Sequence, residues 1–553
     1  MKKLLAMILC AAMALPLIAC GAAGGDDTTA PEETEPAVTV PGGYQLDETR
    51  NEAIVNDGGV VTKLEDGNAR VYYQIFVGSF SDSNGDGIGD LRGIINRFDY
   101  LNDGDPNSGV SLGVEGIWLS PIFTSPSYHK YDVTNYYEID PQFGTMEDLQ
   151  ELIDLCHERG VQIILDLVIN HTSRANKWYQ EFVYAHQKGN TDSPYYDFYT
   201  WSDEKTAGAT WYPMSGSDKF YEGNFSSEMP ELNFDNEDVK QAVVDVAKFY
   251  LDMGVDGFRF DAAKYIYYGD EPANADFWIW YMAELRKMKP DIYTVAEVWD
   301  GDALTFPYFA STNCFNFSMS QVSGKIAAAA KGGNVNTLMS YVDNYIKSIR
   351  EQKEDAMMVT FIANHDMDRA AGFLMTYTGH AYMAANLSIL MPGSSYIYYG
   401  EEIGMLGSRG SANTDANRRL AMLWGDGDTV KDPVGANYSA EQANGTVVEQ
   451  WADGTSLYNH YKKLITIRKA NPEIAYGEFT PLKTTGKTGG FLCTYNGSTV
   501  AVLHNPTTEE VVVDLSAITD VPLTVLAAYV GLGKATLEGT TLTIGAQTSV
   551  VLR

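Results

Sequence analysis

The sequence has little cysteine and few positive charges for a chain of 553 residues. Its five cysteines lie far apart and form no CxxC pair, so neither a disulfide framework nor zinc or redox chemistry is indicated. Lysine and arginine number 39 against 73 acidic residues, a formal charge of −34. Such a field repels phosphate backbones and anionic lipid head groups. We therefore expect no nucleic-acid partner, and ligands that are neutral or cationic.

The N-terminus has the pattern of a secretory leader. Lys2 and Lys3 precede an apolar run over 4–18 that is too short to remain as a membrane span. The run ends in LIACG, which resembles a bacterial lipobox, where the leader is cut before Cys20 and that cysteine receives a lipid. Plain secretion is the alternative. We expect a signal peptide over 1–19 and a chain held at the outer face of a bacterial membrane by its lipid alone.

The composition changes twice along the rest of the chain. Residues 20–55 are rich in Gly, Pro, Thr and acids and predict a disordered tether. Short apolar runs then alternate with stretches of helical length, which predicts strand-helix units around a parallel sheet. Eight such runs occur, the number that closes a (β/α)8 barrel, also called a TIM barrel. They lie at 71–77, 116–122, 161–168, 257–263, 292–298, 314–319, 357–363 and 394–399.

The predicted fold class is therefore α/β, with two additions to the barrel. About 90 residues separate the third and fourth runs, which indicates an inserted domain over 171–235. The barrel would then cover 56–170 and 236–475. Beyond about residue 475 the apolar residues alternate with the period of strands, which predicts a C-terminal antiparallel β-sandwich domain over 476–553.

Polar residues follow several of the predicted strands. In a parallel barrel the carboxyl ends of the strands share one face, so these side chains should converge there. A structural explanation exists, because Arg259 could simply neutralise Asp166 and Asp261. It does not account for the further carboxylates on the same rim, so the clustering favours a catalytic site. The residues concerned are Asp166, Asn170, His171, Arg259, Asp261, Glu297, Asn364, His365 and Asp366.

These segments resemble the short conserved regions of the α-amylase family of retaining glycoside hydrolases. The matching segments are DLVINH, GFRFDAAKY, AEVWD and FIANHD, together with GIWLSPIF, SPSYHKYD, MPELN, PGSSYIYYGEEIGM and RRLAMLW. The resemblance covers roughly 70–475. It implies an enzyme that cleaves α-1,4-glucosidic bonds of starch or malto-oligosaccharides by double displacement. MPELN lies near the form found in members intermediate between α-amylases and oligo-1,6-glucosidases.

The resemblance also implies roles for individual residues. Asp261 would be the nucleophile, Glu297 the general acid and base, and Asp366 the third carboxylate that holds the distorted sugar. Tyr131 would be the platform on which the sugar stacks, and Arg259 would keep the nucleophile ionised. The remaining substrate-binding residues would be Asp166, His171, Lys264 and His365.

A second group of oxygen-bearing residues follows the first predicted strand. The segment DSNGDGIGD places side-chain oxygens at alternate positions, with glycines that permit a tight loop. Such hard ligands suit calcium, although a turn rich in Asx and Gly has the same composition. Related α-glucosidase-like members carry a similar loop, which favours a structural calcium ion. The expected ligands are Asp82, Asn84, Asp86, Asp90 and the carbonyl of Ile88.

Two departures from the family pattern bear on the prediction. Lys264-Tyr265 stands where many α-amylases have lysine and histidine, which puts in doubt a second calcium site that would include Asn170. Ala262, directly after the nucleophile, favours α-1,4 over α-1,6 bonds by family analogy. The open alternatives are a transglycosylase, an oligo-1,6-glucosidase and a non-catalytic glucan-binding surface protein. We expect a monomer.

Overall fold

The computed structural model describes residues 61, 63–375 and 378–553. The predicted signal peptide, the lipidation site Cys20 and the predicted tether lie outside these residues. Within the described ranges, no helix combines the length and the apolar character needed to cross a membrane.

All eight predicted apolar runs contain strands, and these strands form one parallel sheet. Each is almost entirely buried, as expected where helices cover the outside of a parallel barrel. The strands are β1 (Val71–Ile75), β2 (Gly116–Leu119), β3 (Gln162–Leu167), β4 (Gly257–Phe260), β5 (Tyr293–Ala296), β6 (Asn313–Cys314), β7 (Val359–Phe361) and β8 (Ser394–Tyr398).

The sheet runs in the order β6-β5-β4-β3-β2-β1-β8-β7. Strand β6 has only two residues, fewer than the run at 314–319 predicts, because the chain turns into a 3₁₀ helix at Phe317–Met319. A single parallel bridge between Phe315 and Val359 links the β6 end to β7 and nearly closes the barrel. The prediction of a (β/α)8 barrel is therefore confirmed.

Helices follow the strands and pack their apolar faces on the barrel. The helix Glu237–Met253 illustrates the local signals: the Asn236 side chain accepts a hydrogen bond from the Asp238 amide, and Gly254 ends the helix at φ 106°. The other α-helices are Leu91–Asn96, Phe98–Leu101, Met146–Glu158, Lys177–Lys188, Glu271–Met288, Asp302–Thr305, Lys325–Ala330, Val335–Gln352, Ala370–Leu374, Thr378–Ile389, Val447–Trp451, Leu457–Ala470 and Glu473–Tyr476.

Two smaller regions adjoin the barrel. Between β3 and β4, residues 171–235 hold one helix and a three-stranded antiparallel sheet made of Trp201–Ser202, Trp211–Pro213 and Phe220–Glu222. The C-terminal region has a five-stranded and a three-stranded antiparallel sheet that share an apolar core, so the predicted β-sandwich is confirmed. Its strands are Glu478–Pro481, Gly489–Tyr495, Ser498–Asn505, Val511–Asp514, Leu526–Gly531, Ala535–Glu538, Thr541–Ile544 and Thr548–Leu552.

Two buried glutamates, Glu401 and Glu402, follow β8 and make the free energy of unfolding depend on pH. Glu402 accepts hydrogen bonds from Tyr73 (2.6 Å) and Tyr100 (2.5 Å), and Glu401 accepts one from Tyr461 (3.0 Å). Burial raises the pKa of Glu401 to about 8, which the bond from Tyr461 only partly offsets. The folded chain therefore keeps a proton that the unfolded chain loses near its ordinary pKa.

We expect the Glu401→Gln variant to gain stability relative to the parent as pH rises from 5 to 8. The folded pKa is raised, so the parent loses free energy of unfolding across that window, and the glutamine does not titrate. The measurement is the Tm of both chains at several pH values. Glu158→Gln, at an exposed helical position, is the control and should show no such trend. A Tm difference that stays flat with pH would contradict the assignment.

Candidate active site

The carboxyl ends of three neighbouring strands bring the predicted rim residues together. Asp166 lies near the end of β3, Arg259 lies in β4 with Asp261 directly after it, and Glu297 directly follows β5. The register of the sheet sets Asp166 beside Arg259 and Ala296 beside Phe260. The site is thus a consequence of the barrel register rather than of any single loop.

Arg259 is the centre of this group. Its Nη1 lies 2.6 Å from Asp166 Oδ1 and 2.6 Å from Asp261 Oδ1, and its Nη2 lies 2.9 Å from Glu297 Oε2. The guanidinium is almost completely buried over the ring of Trp118, 5.2 Å from its centroid. The structural explanation considered for Arg259 therefore holds in part, but this cation contacts three carboxylates and cannot balance them all.

Burial raises the pKa values of the three carboxyl groups around Arg259, and a single cation does not offset it. Burial raises the pKa of Asp166 to about 7 despite the contact with Arg259. Burial also raises the pKa of Asp261, against the lowering by Arg259. The pKa of Glu297 is raised by burial, with the charges of Asp261 and Asp366 adding to it and Arg259 opposing it. Arg259 thus limits the shift at Asp261 but does not cancel it.

A hydrogen-bonded chain connects Tyr131 and His365 to this centre. The Tyr131 hydroxyl donates to Asp166 Oδ2 (2.9 Å) and lies 2.6 Å from His365 Nε2, and the two rings are parallel to within 5°. Gln74 Nε2 lies 2.7 Å from Nδ1 on the other side of the imidazole. Burial lowers the pKa of His365, which favours the neutral ring. A neutral imidazole that accepts from Gln74 carries its proton on Nε2, toward Tyr131 and Asp366.

Asp366 has a cation of its own that the sequence analysis did not identify. Arg419 Nη2 lies 2.7 Å from Asp366 Oδ1, and His365 Nε2 lies 3.0 Å from Oδ2. Burial opposes the charge on Asp366, but His365 and Arg419 outweigh it and hold its pKa well below the ordinary range. Since His365 favours its neutral form, the permanent charge comes from Arg419. The signal was present in RRLAMLW, where Arg419 precedes a buried apolar run.

The residue after Asp261 has a strained backbone. Ala262 lies in the left-handed region at φ 44° and ψ 44°, which is unfavourable for a residue with a Cβ. This conformation directs the Ala262 amide at Glu297 Oε2, at 3.0 Å. Strain of this kind persists only where the surroundings enforce it, and it is common at active sites. Here it fixes Glu297 relative to Asp261.

His171 and Lys264 lie at the edges of the same centre. His171 Nε2 is 3.1 Å from the Tyr131 carbonyl oxygen, and burial lowers the pKa of His171 to about 4, so its neutral form donates there. Lys264 Nζ donates to the Trp299 carbonyl (2.9 Å) and lies 3.0 Å from Asp300 Oδ2. Lys264 therefore supports the loop after Glu297 and does not contact the buried carboxylates.

A cleft of about 1250 Å³ opens over this centre. Asp261, Glu297, Asp366, Tyr131 and His171 line it, so five of the predicted site residues share one cavity. Aromatic and cationic side chains complete its walls, which suits a ligand with flat apolar faces and many hydroxyl groups. The further lining side chains include Tyr128, Phe225, Trp299, Phe373, Arg409, Arg418, Arg419 and Tyr438.

The predicted calcium loop forms consecutive Asx turns. Asp82 accepts from the amides of Asn84 (3.0 Å), Gly85 and Gly87 (both 2.7 Å), and Asn84 accepts from the Asp86 amide (3.0 Å). In the described ranges, no three His, Cys, Asp or Glu side chains converge to hold a metal by themselves. Amide and carbonyl oxygens would therefore have to complete a site. The donors are all hard oxygens, which fits calcium.

The comparisons with known proteins agree with this geometry. The family model described as the α-amylase catalytic domain matches residues 74–477. The chain is 37% identical over 421 residues to α-amylase 3 of Dictyoglomus thermophilum, covering 75% of this chain and 80% of that protein. It is 31% identical over 455 residues to a 4-α-glucanotransferase of Thermotoga maritima, covering 80% and 96%. An oligo-1,6-glucosidase of Bacillus cereus is 30% identical over 526 residues, covering 80% and 91%.

Two solved structures are similar over nearly their whole length. Amy13B of Eubacterium rectale superposes with a TM-score of 0.83 at 33% identity, covering 92% of this chain and 99% of that one. An α-amylase from H. orenii superposes with a TM-score of 0.76 at 34% identity, covering 88% and 99%.

Proposed function

The chain belongs to the α-amylase family and is an enzyme of the glycoside hydrolase type, and we propose that it hydrolyses α-1,4-glucosidic bonds of starch or malto-oligosaccharides with retention of configuration. The observation that carries the proposal is that one buried guanidinium, Arg259, holds Asp261 and Glu297 together at the base of the cleft. A retaining pair needs two carboxyl groups about 5 to 5.5 Å apart. Their contact with one guanidinium supports such a pairing.

The proposed reaction has two displacements. Asp261 attacks the anomeric carbon through Oδ2, since Oδ1 contacts Arg259, while protonated Glu297 gives its proton to the departing glycosidic oxygen. Both protein contacts of the Glu297 carboxyl reach Oε2, so we assign proton transfer to Oε1. Glu297 then deprotonates a water molecule, which attacks the same carbon and frees Asp261. The raised pKa of Glu297 supports its role as the acid.

The other residues would act on the sugar itself. Asp366, ionised by Arg419, would accept hydrogen bonds from hydroxyls of the distorted ring. The Tyr131 ring, supported from behind by the parallel His365 ring, would form the floor beneath the sugar, and His171 would hold the Tyr131 backbone in place through its hydrogen bond to the carbonyl. No organic cofactor enters this scheme, because acid and base chemistry is sufficient.

Two related activities are the competing proposals. Transfer of the glycosyl unit to another sugar uses the same residues, and one similar protein is named a 4-α-glucanotransferase. Cleavage of α-1,6 bonds is the other, and one similar protein is named an oligo-1,6-glucosidase. Ala262 favours α-1,4 bonds by family analogy. Its left-handed backbone adds a physical reason to keep a small residue there, since a β-branched side chain is strained in that region.

The deciding experiment incubates the chain from residue 21 with starch, maltotriose, pullulan and isomaltose and identifies the products by chromatography. Glucose or malto-oligosaccharides from the 1,4-linked substrates alone would support the proposal. Longer or rearranged sugars would show that the enzyme is a transglycosylase instead, and cleavage of isomaltose would show that it is a 1,6-glucosidase. Binding without cleavage of any substrate would favour a glucan-capturing protein.

We also propose that a structural calcium ion binds the loop after β1. Asp82, Asn84, Asp86, Asp90 and the Ile88 carbonyl would hold it, and the ion would supply only positive charge that ties the loop together. We expect a chelator to lower the Tm of the parent, because a ligand at about 100 times its Kd stabilises the folded state by about 2.7 kcal/mol.

The matched variant for this prediction is Asp86→Ala. Asp86 is exposed, and its carboxylate accepts only from the Ile88 amide (2.8 Å), so its loss should weaken calcium binding without unfolding the loop. The Tm of this variant should respond to added calcium less than that of the parent. If the Tm values of parent and variant respond equally to calcium and to chelator, calcium does not bind this loop.

Finally, we propose that a lipid on Cys20 holds the enzyme at the outer face of a bacterial membrane. The support is the leader sequence, which has the lipobox pattern before Cys20. Protease added to whole cells should release the enzyme, and Cys20→Ser should release it into the medium without protease. Protection of the enzyme from added protease would contradict surface exposure.

A further inference from the structure

We propose that Phe225, Tyr265 and Tyr268 form an aromatic row that binds the leaving-group side of a linear α-1,4-glucan, so that the enzyme favours longer chains over short ones. The inference rests on the proposed function, because it assigns the leaving-group side from the role of Glu297.

The row is defined by three consecutive ring contacts. The Phe225 ring lies 5.2 Å from the His171 ring and 4.8 Å from the Tyr265 ring, and Tyr265 lies 5.0 Å from Tyr268 with the two rings within 8° of parallel. His171 and Phe225 line the catalytic cleft. The row therefore begins at the catalytic centre and continues outward from it.

The backbone places Tyr265 beside the acid. Tyr265 lies in the 3₁₀ helix Ala263–Tyr265, whose first amide donates to the Glu297 carbonyl at 3.0 Å. The intervening Lys264 donates to the Trp299 carbonyl on the loop after Glu297. Since Glu297 would protonate the departing oxygen, residues fixed to its backbone lie on the side of the departing sugar.

A purely structural role does not explain why the rings at the two ends of the row are exposed. Phe225 is 46% exposed and Tyr268 is 50% exposed, although large aromatic side chains gain free energy from burial. Two half-exposed rings at either end of one row of contacting rings present apolar surface that continues from the cleft-lining Phe225. A neutral ligand with flat apolar faces fits this surface, and the net charge of −34 disfavours an anionic one. A glucan chain continuing out of the cleft meets both conditions.

The test compares substrates of different length in variants of the outermost ring. In Tyr268→Ala the ratio of kcat/KM for maltoheptaose to that for maltotriose should fall about fivefold, the size of one lost aromatic contact. The change should lie mainly in KM. Tyr268→Phe keeps the ring and should restore the ratio. Tyr184→Ala removes a tyrosine of similar exposure, 57%, on the helix Lys177–Lys188 and should leave the ratio as in the parent.

A binding measurement separates this inference from the proposed function. Calorimetric titration of maltoheptaose into Glu297→Gln, with and without Tyr268→Ala, measures how much the row contributes to binding in the absence of turnover. Weaker binding in the double variant supports the row even if the parent turns out to cleave a different bond. Two results would contradict a role of the row in glucan binding. One is an unchanged ratio of kcat/KM values together with unchanged binding of maltoheptaose; the other is a fall in that ratio that Tyr268→Phe shares with Tyr268→Ala. Absence of cleavage with Tyr268-dependent binding intact would overturn only the proposed reaction.

Discussion

Asp261→Asn should lower kcat on malto-oligosaccharides by about 10⁴-fold or more while the chain remains folded. Asparagine has nearly the shape of aspartate, and its carbonyl oxygen can still accept from Arg259, which lies 2.6 Å from Asp261 Oδ1. It lacks the negative charge that forms the bond to the anomeric carbon. Since the buried centre has more carboxylates than cations, losing one negative charge costs little stability.

The measurement is single-turnover and steady-state kinetics on maltotriose, with circular dichroism and Tm as checks on folding. Added azide provides an internal control, because a small external nucleophile can replace a missing carboxylate and would give a glucosyl azide. Asp256→Asn is a matched control: this aspartate lies just before β4, where its carboxylate accepts from the Ile163 amide away from the cleft. Substantial residual activity in pure Asp261→Asn would remove Asp261 from the nucleophile role.

Much of this centre could be predicted because barrel geometry makes it a property of strand ends. The eight apolar runs indicate the strands, and the polar residues that end them converge once the strands are parallel. Asp166, Arg259, Asp261 and Glu297 meet for this reason alone. The prediction needed only that the strands run parallel and end on one face, since strands that are buried along nearly their whole length show no alternation from which the register could be determined.

Residues that come from loops could not be placed in the same way. Arg418 and Arg419 are neighbours in sequence and both reach Asp366. Arg419 pairs with its carboxylate, whereas Arg418 donates to its backbone carbonyl and pairs with Asp368 and Asp415. No periodicity distinguishes two adjacent arginines in an irregular segment. The choice depends on the packing of the chain after β8, which is a property of the tertiary structure.

Backbone strain is equally hidden in the sequence. Ala262 gives no sign of a left-handed conformation, since alanine rarely adopts one. The conformation arises because the chain must turn sharply after β4 while its amide reaches Glu297. The outward row of Phe225, Tyr265 and Tyr268 joins two distant segments, and only the folded chain shows that these rings contact one another.

Arg259→Met should be the most destabilising substitution at the centre, at about 3 to 5 kcal/mol, and should also abolish activity. It removes the one cation that contacts Asp166, Asp261 and Glu297, and it leaves three carboxylates without that partner in a buried site. The loss should be smaller at pH 5 than at pH 8. Without the cation the carboxyl pKa values rise further, so the carboxyl groups can become neutral at the lower pH.

Chemical denaturation of Arg259→Met at the two pH values tests this expectation against an exposed arginine. Arg92 also contacts two carboxylates, Asp148 at 2.8 Å and Glu151 at 2.5 Å, but its side chain is 39% exposed, so water screens the pairs. Arg92→Met should therefore cost less than about 1 kcal/mol. If the two substitutions cost the same, burial would not be what makes Arg259 essential. If the free energy of unfolding lost in Arg259→Met is no larger at pH 8 than at pH 5, the neighbouring carboxylates do not depend on Arg259 to stay ionised.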